Sequence, residues 1–335
     1  MSAMAAAPSR SLPRLRDEAV YMFCGLWMIT GLHIDGWAHE ANKPETFFTP
    51  WHLVLYSGFG AAVVYSGLIA LREARTGVAP TLGDDRVTTI GVVVFVVGAV
   101  GDFVWHELFG IEVDLEALIS PSHLALMIGG LLMVTLPFRT MRDVDDRQGT
   151  IVRSASAFLA LGVVAFFLMY LMPWDSEQPF VDAYVPGEND LDVVYGMSSV
   201  LVTTALFLGT ALLLAARERA LLPGTMTVGF TLVALGQAGL EGWDQLALVP
   251  AATIAGVVVD ALLGRRTSLR LVGAIGGVVL WSGLFLLVHV DAGVEWSVSL
   301  WSGAIVFAGM TGLGLGELVS ARRAVPASEP AALAR

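Results

Sequence analysis

Two segments of this chain carry the same carboxylate and imidazole side chains at the same spacing. Both read D-x-x-x-H-E, then a loop, then [ST]-P-x-H-L-x-L. Internal repeats are common in membrane proteins, and both copies here retain the whole polar set. We name the first set Asp35, His39 and His52, and the second set Asp102, His106 and His123.

The spacing predicts that each set converges at the ends of two helices. An Asp and a His four residues apart share one face of a helix. Thr49 and Ser120 are predicted N-caps, each followed by a proline at the first helical position. This places His52 and His123 at the third position, where the positive end of the helix dipole favours neutral imidazole. Neutral imidazole is the form that binds metal ions.

One carboxylate with two imidazoles is a ligand set that suits copper, zinc or non-haem iron. Cys24 is the only cysteine, which excludes an intramolecular disulfide and a cysteine-based metal cluster. The alternative for each set is a hydrogen-bonded network or proton relay without metal. The spacing leaves open whether the six residues form two mononuclear sites or one paired site.

Other polar residues near the helix ends are weaker candidates. Glu40 and Glu107 recur in both copies and are predicted either as extra ligands or orienting groups or as solvated interface residues. His33 lies on a different helix face from Asp35, so a packing role is expected. His289 stands near Asp291 at an outer helix end without a ligand set.

The composition predicts an all-α polytopic membrane protein. The chain is 56% hydrophobic and 15% charged, with a mean hydropathy of +0.71. A helix needs about 20 apolar residues to cross the hydrocarbon core, and the apolar runs are too long for barrel strands. We predict ten spans in five hairpins, at 18–39, 50–72, 87–109, 121–138, 151–173, 191–215, 224–242, 247–264, 269–290 and 297–319.

The charge distribution orients these spans. Eighteen of the 19 Lys and Arg residues fall on the side of the amino terminus, and only Lys43 falls on the other. By the positive-inside rule both termini are cytoplasmic, and the metal sets face the extracytoplasmic side of a bacterial-type cytoplasmic (inner) membrane. The predicted organisation is a cytoplasmic segment 1–17, two metal-site hairpins 18–138, six further helices 139–320 and a cytoplasmic tail 321–335.

The first set resembles a known copper motif. Asp35-x3-His39-x12-His52 is similar to the intramembrane copper motif in the C subunit of particulate methane and ammonia monooxygenases, where the second histidine comes from the next helix. The resemblance implies that these three residues are copper ligands. The second set resembles a further Asn-x3-His and His arrangement of that subunit, with Asp102 in place of the Asn and a longer gap. The resemblance covers the first four spans only.

The expected function is a copper-binding membrane oxidase or monooxygenase of the particulate type, or a subunit of one. The expected partners are the lipid bilayer, additional membrane subunits and an apolar small molecule arriving through the lipid, with no nucleic acid. One alternative is handling of copper or zinc, by uptake, delivery or sensing. Uptake would need polar groups along the whole path, and the inner half offers few besides Asp260 and Glu317, which argues against a transporter but not against a metal donor. Further alternatives are a zinc-dependent intramembrane hydrolase, whose H-x-x-x-H pair is missing, and a structural subunit.

Overall fold

The computed structural model describes most of the chain as helix. The described residues are 11–41, 43, 48–76, 85–110, 114–141, 146–182, 185, 187, 188, 190–218 and 220–324, and they contain no strand. Residues 1–10 of the predicted amino-terminal segment and residues 325–335 of the predicted tail lie outside these ranges.

The described ranges form thirteen α-helices, with 3-10 turns at Met169–Leu171 and Asp244–Leu248. The α-helices are α1 (Ser11–Glu40), α2 (Pro50–Thr76), α3 (Arg86–Phe109), α4 (Asp114–Ile119), α5 (Pro121–Val134), α6 (Leu136–Thr140), α7 (Arg147–Phe167), α8 (Gln178–Val181), α9 (Asp190–Arg217), α10 (Thr225–Leu240), α11 (Val249–Gly264), α12 (Leu269–Asp291) and α13 (Val298–Ala324).

Each of the ten predicted spans overlaps helical structure, but α5 ends at Val134 and α7 at Phe167, before the predicted ends of the spans 121–138 and 151–173. Seven segments in the described ranges are both long and apolar enough to cross a membrane, and α5 and α10 are apolar but shorter. The chain is therefore a multi-pass helical membrane protein. The helix of the first predicted span, α1, has 30 residues but is not among the seven. Charged residues near its start and the polar residues Asp35 and His39 near its end lower its mean hydropathy.

The chain divides into two compact units. The first comprises the described residues up to Tyr170 together with Leu235–Leu246, and the second comprises Leu171–Ala234 together with the described residues from Ala247 onward. Both candidate ligand sets belong to the first unit. The predicted division at residues 138 and 320 stays a prediction.

Glycines let the helices that carry each set touch backbone to backbone. A Cβ on Gly31 of α1 would lie 2.4 Å from the amide nitrogen of Leu55 on α2. A Cβ on Gly129 of α5 would lie 2.6 Å from the amide nitrogen of Phe95 on α3. Small residues at such crossings allow close approach in membranes, so α1 and α2, like α3 and α5, pack too closely to admit a side chain at these two glycines.

The predicted caps at the start of α2 and α5 are confirmed. The backbone N–H of His52 donates to Thr49 Oγ1 at 3.3 Å, and that of His123 donates to Ser120 Oγ at 3.4 Å. A proline opens each helix, as expected for the first helical position. The caps fix where the two helices begin, and therefore place both histidines in the first turn.

In the second unit, Asp260 and Glu317, the acidic residues predicted to lie in the inner half, have hydrogen-bond partners. Asp260 on α11 accepts hydrogen bonds from the N–H groups of Met226 at 3.1 Å and Thr227 at 2.9 Å, and so caps the start of α10. Glu317 on α13 accepts a hydrogen bond from Arg270 on α12 at 3.0 Å. Both carboxylates therefore connect neighbouring helices.

Candidate metal centre

The first set comes together where α1 meets α2. Asp35 and His39 lie one helical turn apart at the end of α1, and His52 lies in the first turn of α2. His52 Nε2 lies 3.1 Å from Asp35 Oδ1, and His39 Nε2 lies 3.9 Å from Asp35 Oδ2. The two imidazole rings are 6.4 Å apart between centroids. The carboxylate therefore sits between two imidazoles.

The second set repeats this arrangement where α3 meets α5. His123 Nε2 lies 3.0 Å and His106 Nε2 lies 3.4 Å from the same oxygen, Oδ1 of Asp102. The ring centroids are 5.9 Å apart. Asp102 is only 2% exposed, so its charge depends on these neighbours rather than on water.

Both sets have the dimensions of a mononuclear metal site. In each set one ligand atom per residue lies within 4.8 Å of the other two. A tetrahedral ion with ligand bonds of about 2.1 Å spaces its ligands roughly 3.4 Å apart. Each set is therefore compact enough for its three ligand atoms to share one ion.

Hydrogen bonds orient the imidazoles of the second set. His106 Nδ1 lies 3.3 Å from the carbonyl oxygen of Gly110, and Ser120 Oγ lies 2.9 Å from His123 Nδ1. A partner on Nδ1 fixes the ring and leaves Nε2 for a metal ion, the arrangement common to metal-binding histidines. Both Nε2 atoms do face Asp102.

Ser122 supports the carboxylate of the second set, and the sequence did not single it out. Its hydroxyl donates to Asp102 Oδ1 at 3.2 Å and lies 3.1 Å from Ser120 Oγ. The corresponding residue in the first copy is Trp51. The residue between the proline and the histidine thus differs between the two copies. This difference is the feature of the sequence that could have pointed to Ser122.

One buried carboxylate oxygen of the first set has an ion-pair contact with an imidazole but no hydrogen bond in the described part of the chain. Asp35 Oδ1 is buried and has no hydrogen bond of acceptable geometry in the described part of the chain, although His52 Nε2 is 3.1 Å away. Buried polar atoms in native proteins nearly always have a partner. A cation shared by Asp35, His39 and His52 would supply that partner, so the residues present fit a metal ion.

The remaining candidate residues lie outside both sets. Glu107 is exposed, and Glu40 borders the neighbouring cavity without joining the ligand group. His33 packs edge-on against Phe166, with centroids 5.5 Å apart, in agreement with the expected packing role. His289 is exposed in the second unit. Among the described residues, only the two sets group three or more His, Cys, Asp or Glu residues at metal-binding distances.

A cavity of about 460 Å³ in the first unit borders both sets. Its wall includes all three residues of the first set, and Asp102 and His123 of the second. Tyr56 also lines it, with its ring 6.2 Å from that of His52 and edge-on to Phe95 at 6.3 Å. Tyr56 follows His52 by one helical turn. From this spacing the sequence could have placed Tyr56 on the same helix face as His52.

Comparison with known proteins finds no matching family model, no matching curated protein and no matching solved structure. The resemblance to a copper monooxygenase subunit therefore depends on the spacing of the motif residues alone.

Proposed function

We propose that this chain is a ten-span membrane protein that binds two metal ions, preferentially copper, at its extracytoplasmic side. It acts as, or within, a membrane-bound oxidase or monooxygenase of the particulate type. The observation that carries the proposal is the convergence of a carboxylate and two imidazoles in both copies of the repeat. Both termini are cytoplasmic in this proposal, with the span count and orientation supported by the distribution of Lys and Arg.

The donor sets support a transition metal over calcium or magnesium, because two of the three ligands in each are imidazoles. Asp35, His39 and His52 would hold one ion, and Asp102, His106 and His123 the other. Copper, when bound, supplies one-electron redox chemistry. The protein's part is to fix the ligands on helix ends, orient the imidazoles through Ser120 and the Gly110 carbonyl, and keep an apolar cavity beside both sites.

Metal analysis of purified protein tests the proposal. We expect two copper ions per chain after loading, with a copper(II) signal by electron paramagnetic resonance. Asp35→Ala and Asp102→Ala should each remove one ion, and the double variant should bind none. His289→Ala is the matched control, since this exposed histidine lies outside both sets, and should leave the metal content unchanged.

The outcomes separate the alternatives. Dioxygen consumption by the copper-loaded protein, or by its complex with co-purifying subunits, supports the oxidase assignment, whereas copper binding without it favours copper delivery or sensing. Zinc as the only ion retained favours a hydrolase. Full metal content in both single variants, or none in the wild type, overturns the metal assignment.

A further inference from the structure

We propose that the cavity beside the two sets is a binding site for one uncharged small molecule with a hydrocarbon body larger than benzene. As a statement of substrate class this rests on the metal centre proposed above, while as a binding site it stands without the metals. The cavity lies wholly within the first unit.

The size of the cavity sets the size of the ligand. Its volume is about 460 Å³, within the range of small-molecule pockets. An engineered apolar cavity of about 150 Å³ stays dry and binds benzene. This cavity has roughly three times that volume, so it is too large to be selective for a diatomic gas and accommodates a two-ring aromatic or a medium-length alkyl chain.

The wall of the cavity sets the chemistry of the ligand. Away from the polar groups near the two sets, it is made of aliphatic, aromatic and thioether side chains from six helices and the turn after α7. The described residues that form this apolar part include Ile29, Leu55, Phe95, Leu126, Val163 and Phe167. The wall also includes the charged residues Glu40 and Lys43, but a charged group placed against the apolar part would lose its hydration without compensation. An uncharged hydrocarbon body gains by leaving water.

The arrangement of the polar groups explains how one ligand would meet both sets. Asp35 and His52 border the cavity from α1 and α2, and Asp102 and His123 border it from α3 and α5. The ring of Tyr56 borders it as well, packed against both His52 and Phe95. A molecule in the cavity therefore has access to ligand residues of both sets.

Gly130 offers a way to fill the cavity. It lies in the wall on α5, and a Cβ there meets only Met28 Cε, at 3.7 Å, an ordinary contact. Gly130→Leu should therefore project its side chain into the empty space with little backbone strain. Gly67→Leu is the matched control, because Gly67 is exposed on α2 with nothing within 4 Å of its added Cβ.

The test measures binding of 1-fluoronaphthalene and fluorobenzene by fluorine NMR, with full-length protein in lipid nanodiscs and empty nanodiscs as the partition reference. The protein is treated with chelator, so that binding is read independently of metal. We expect a saturable bound signal for 1-fluoronaphthalene. Gly130→Leu should weaken its binding at least tenfold and leave metal content after reloading unchanged, and Gly67→Leu should match the wild type.

A second variant keeps the test decisive if Gly130→Leu does not fold. Met127 lies in the apolar wall, and Met127→Ala enlarges the cavity, so the preference for 1-fluoronaphthalene over fluorobenzene should rise. No saturable binding in the wild type, unchanged affinity in folded Gly130→Leu, or unchanged preference in Met127→Ala overturns the proposal. Probe binding without metal binding defeats only the metal centre, and metal binding without probe binding defeats only this inference.

Discussion

The hydroxyl of Ser122 donates a hydrogen bond to Oδ1 of Asp102, the oxygen that also faces both histidines of the second set. Ser122 thus holds the carboxylate in the orientation in which it would bind a metal ion. Outer partners of this kind contribute roughly 10–100-fold to metal affinity. We predict that Ser122→Ala weakens metal binding at the second set by this factor.

The measurement is a metal titration in the Asp35→Ala background, so that only the second set is counted. Ser66→Ala is a suitable control, because the Ser66 hydroxyl donates to the carbonyl of Ala62 within α2. Equal affinities for Ser122→Ala and Ser66→Ala would show that Ser122 does not orient the carboxylate.

The contact between α1 and α2 at Gly31 gives a second prediction. A methyl group there would lie 2.4 Å from the Leu55 amide nitrogen, so Gly31→Ala must push the helices apart. We expect a loss of about 1–3 kcal/mol in the free energy of unfolding, the usual cost of overpacking. We also expect loss of the metal ion held by the first set, with the ion of the second set retained.

Thermal unfolding in detergent and metal content per chain check this prediction together. Gly60→Ala on α2 is the control, since nothing lies within 4 Å of its added Cβ, and it should leave stability equal or slightly higher. Retention of both ions by Gly31→Ala would contradict the proposed dependence of the first site on helix contact.

Asp85 forms an ion pair with Arg139 whose contribution to stability should be lost at low pH. It caps α3 through the Thr88 N–H at 3.0 Å and pairs with Arg139 at 2.7 Å. Although partial burial opposes the change, hydrogen bonds from Thr88 and Arg139 lower the pKa of Asp85. A lowered pKa in the folded state means that its stabilisation is present above the unfolded value of about 3.9 and is lost as pH falls through the folded value.

Asp85→Asn should therefore melt at a lower temperature than the wild type at pH 7, and the difference should shrink below about pH 4. Asp146→Asn is the comparison, because Asp146 caps α7 through the Gly149 N–H at 2.7 Å but is exposed. The melting temperatures of both variants and the wild type, measured between pH 3 and 8, check this prediction. If the melting temperature of Asp85→Asn is as far below that of the wild type at pH 3 as at pH 7, the ion-pair explanation is refuted.

The environment of Glu177, in the second unit, leads us to predict the opposite pH dependence of stability. Burial and the nearby charge of Asp291 raise its pKa, and its Oε2 is buried without a hydrogen bond from any described residue. A raised pKa means that stability is fully present below the unfolded value of about 4.3 and is lost as pH rises through the folded value. Glu177→Gln should thus raise the melting temperature at pH 7 and have little effect at pH 4.

Glu295→Gln provides the control, since Glu295 is an exposed carboxylate in the same unit and its substitution should change the melting temperature little at either pH. A Glu177→Gln variant that is no more stable than the wild type at pH 7 would show that water or a cation satisfies the carboxylate.

The local parts of the candidate site could be predicted from sequence because they depend on residues close together in the chain. The four-residue spacing of Asp35 and His39 defines a helix face, and the Thr49 cap defines where His52 stands. The convergence of the second set on Asp102 follows from the same rules.

The cavity could not be predicted, because it depends on which distant helices pack together. Residues of α7, such as Val163 and Phe167, complete its wall, yet nothing in their spacing indicates that they face the two hairpins. Hydropathy likewise cannot predict the role of Asp260. In the sequence it is a charged residue within a predicted span, whereas in the structure it caps the start of α10 from the neighbouring helix α11. Pairing between helices is a tertiary property that sequence periodicity does not carry.

The glycine contacts at Gly31 and Gly129 leave no room for the paired helices to move closer. The ligand side chains are thus mounted on a rigid frame whose dimensions exist before any ion arrives. An ion that prefers shorter bonds could not draw the helices inward to suit itself. In the proposed metal centre the scaffold would therefore discriminate against an ion whose preferred coordination needs the two helices to lie closer together.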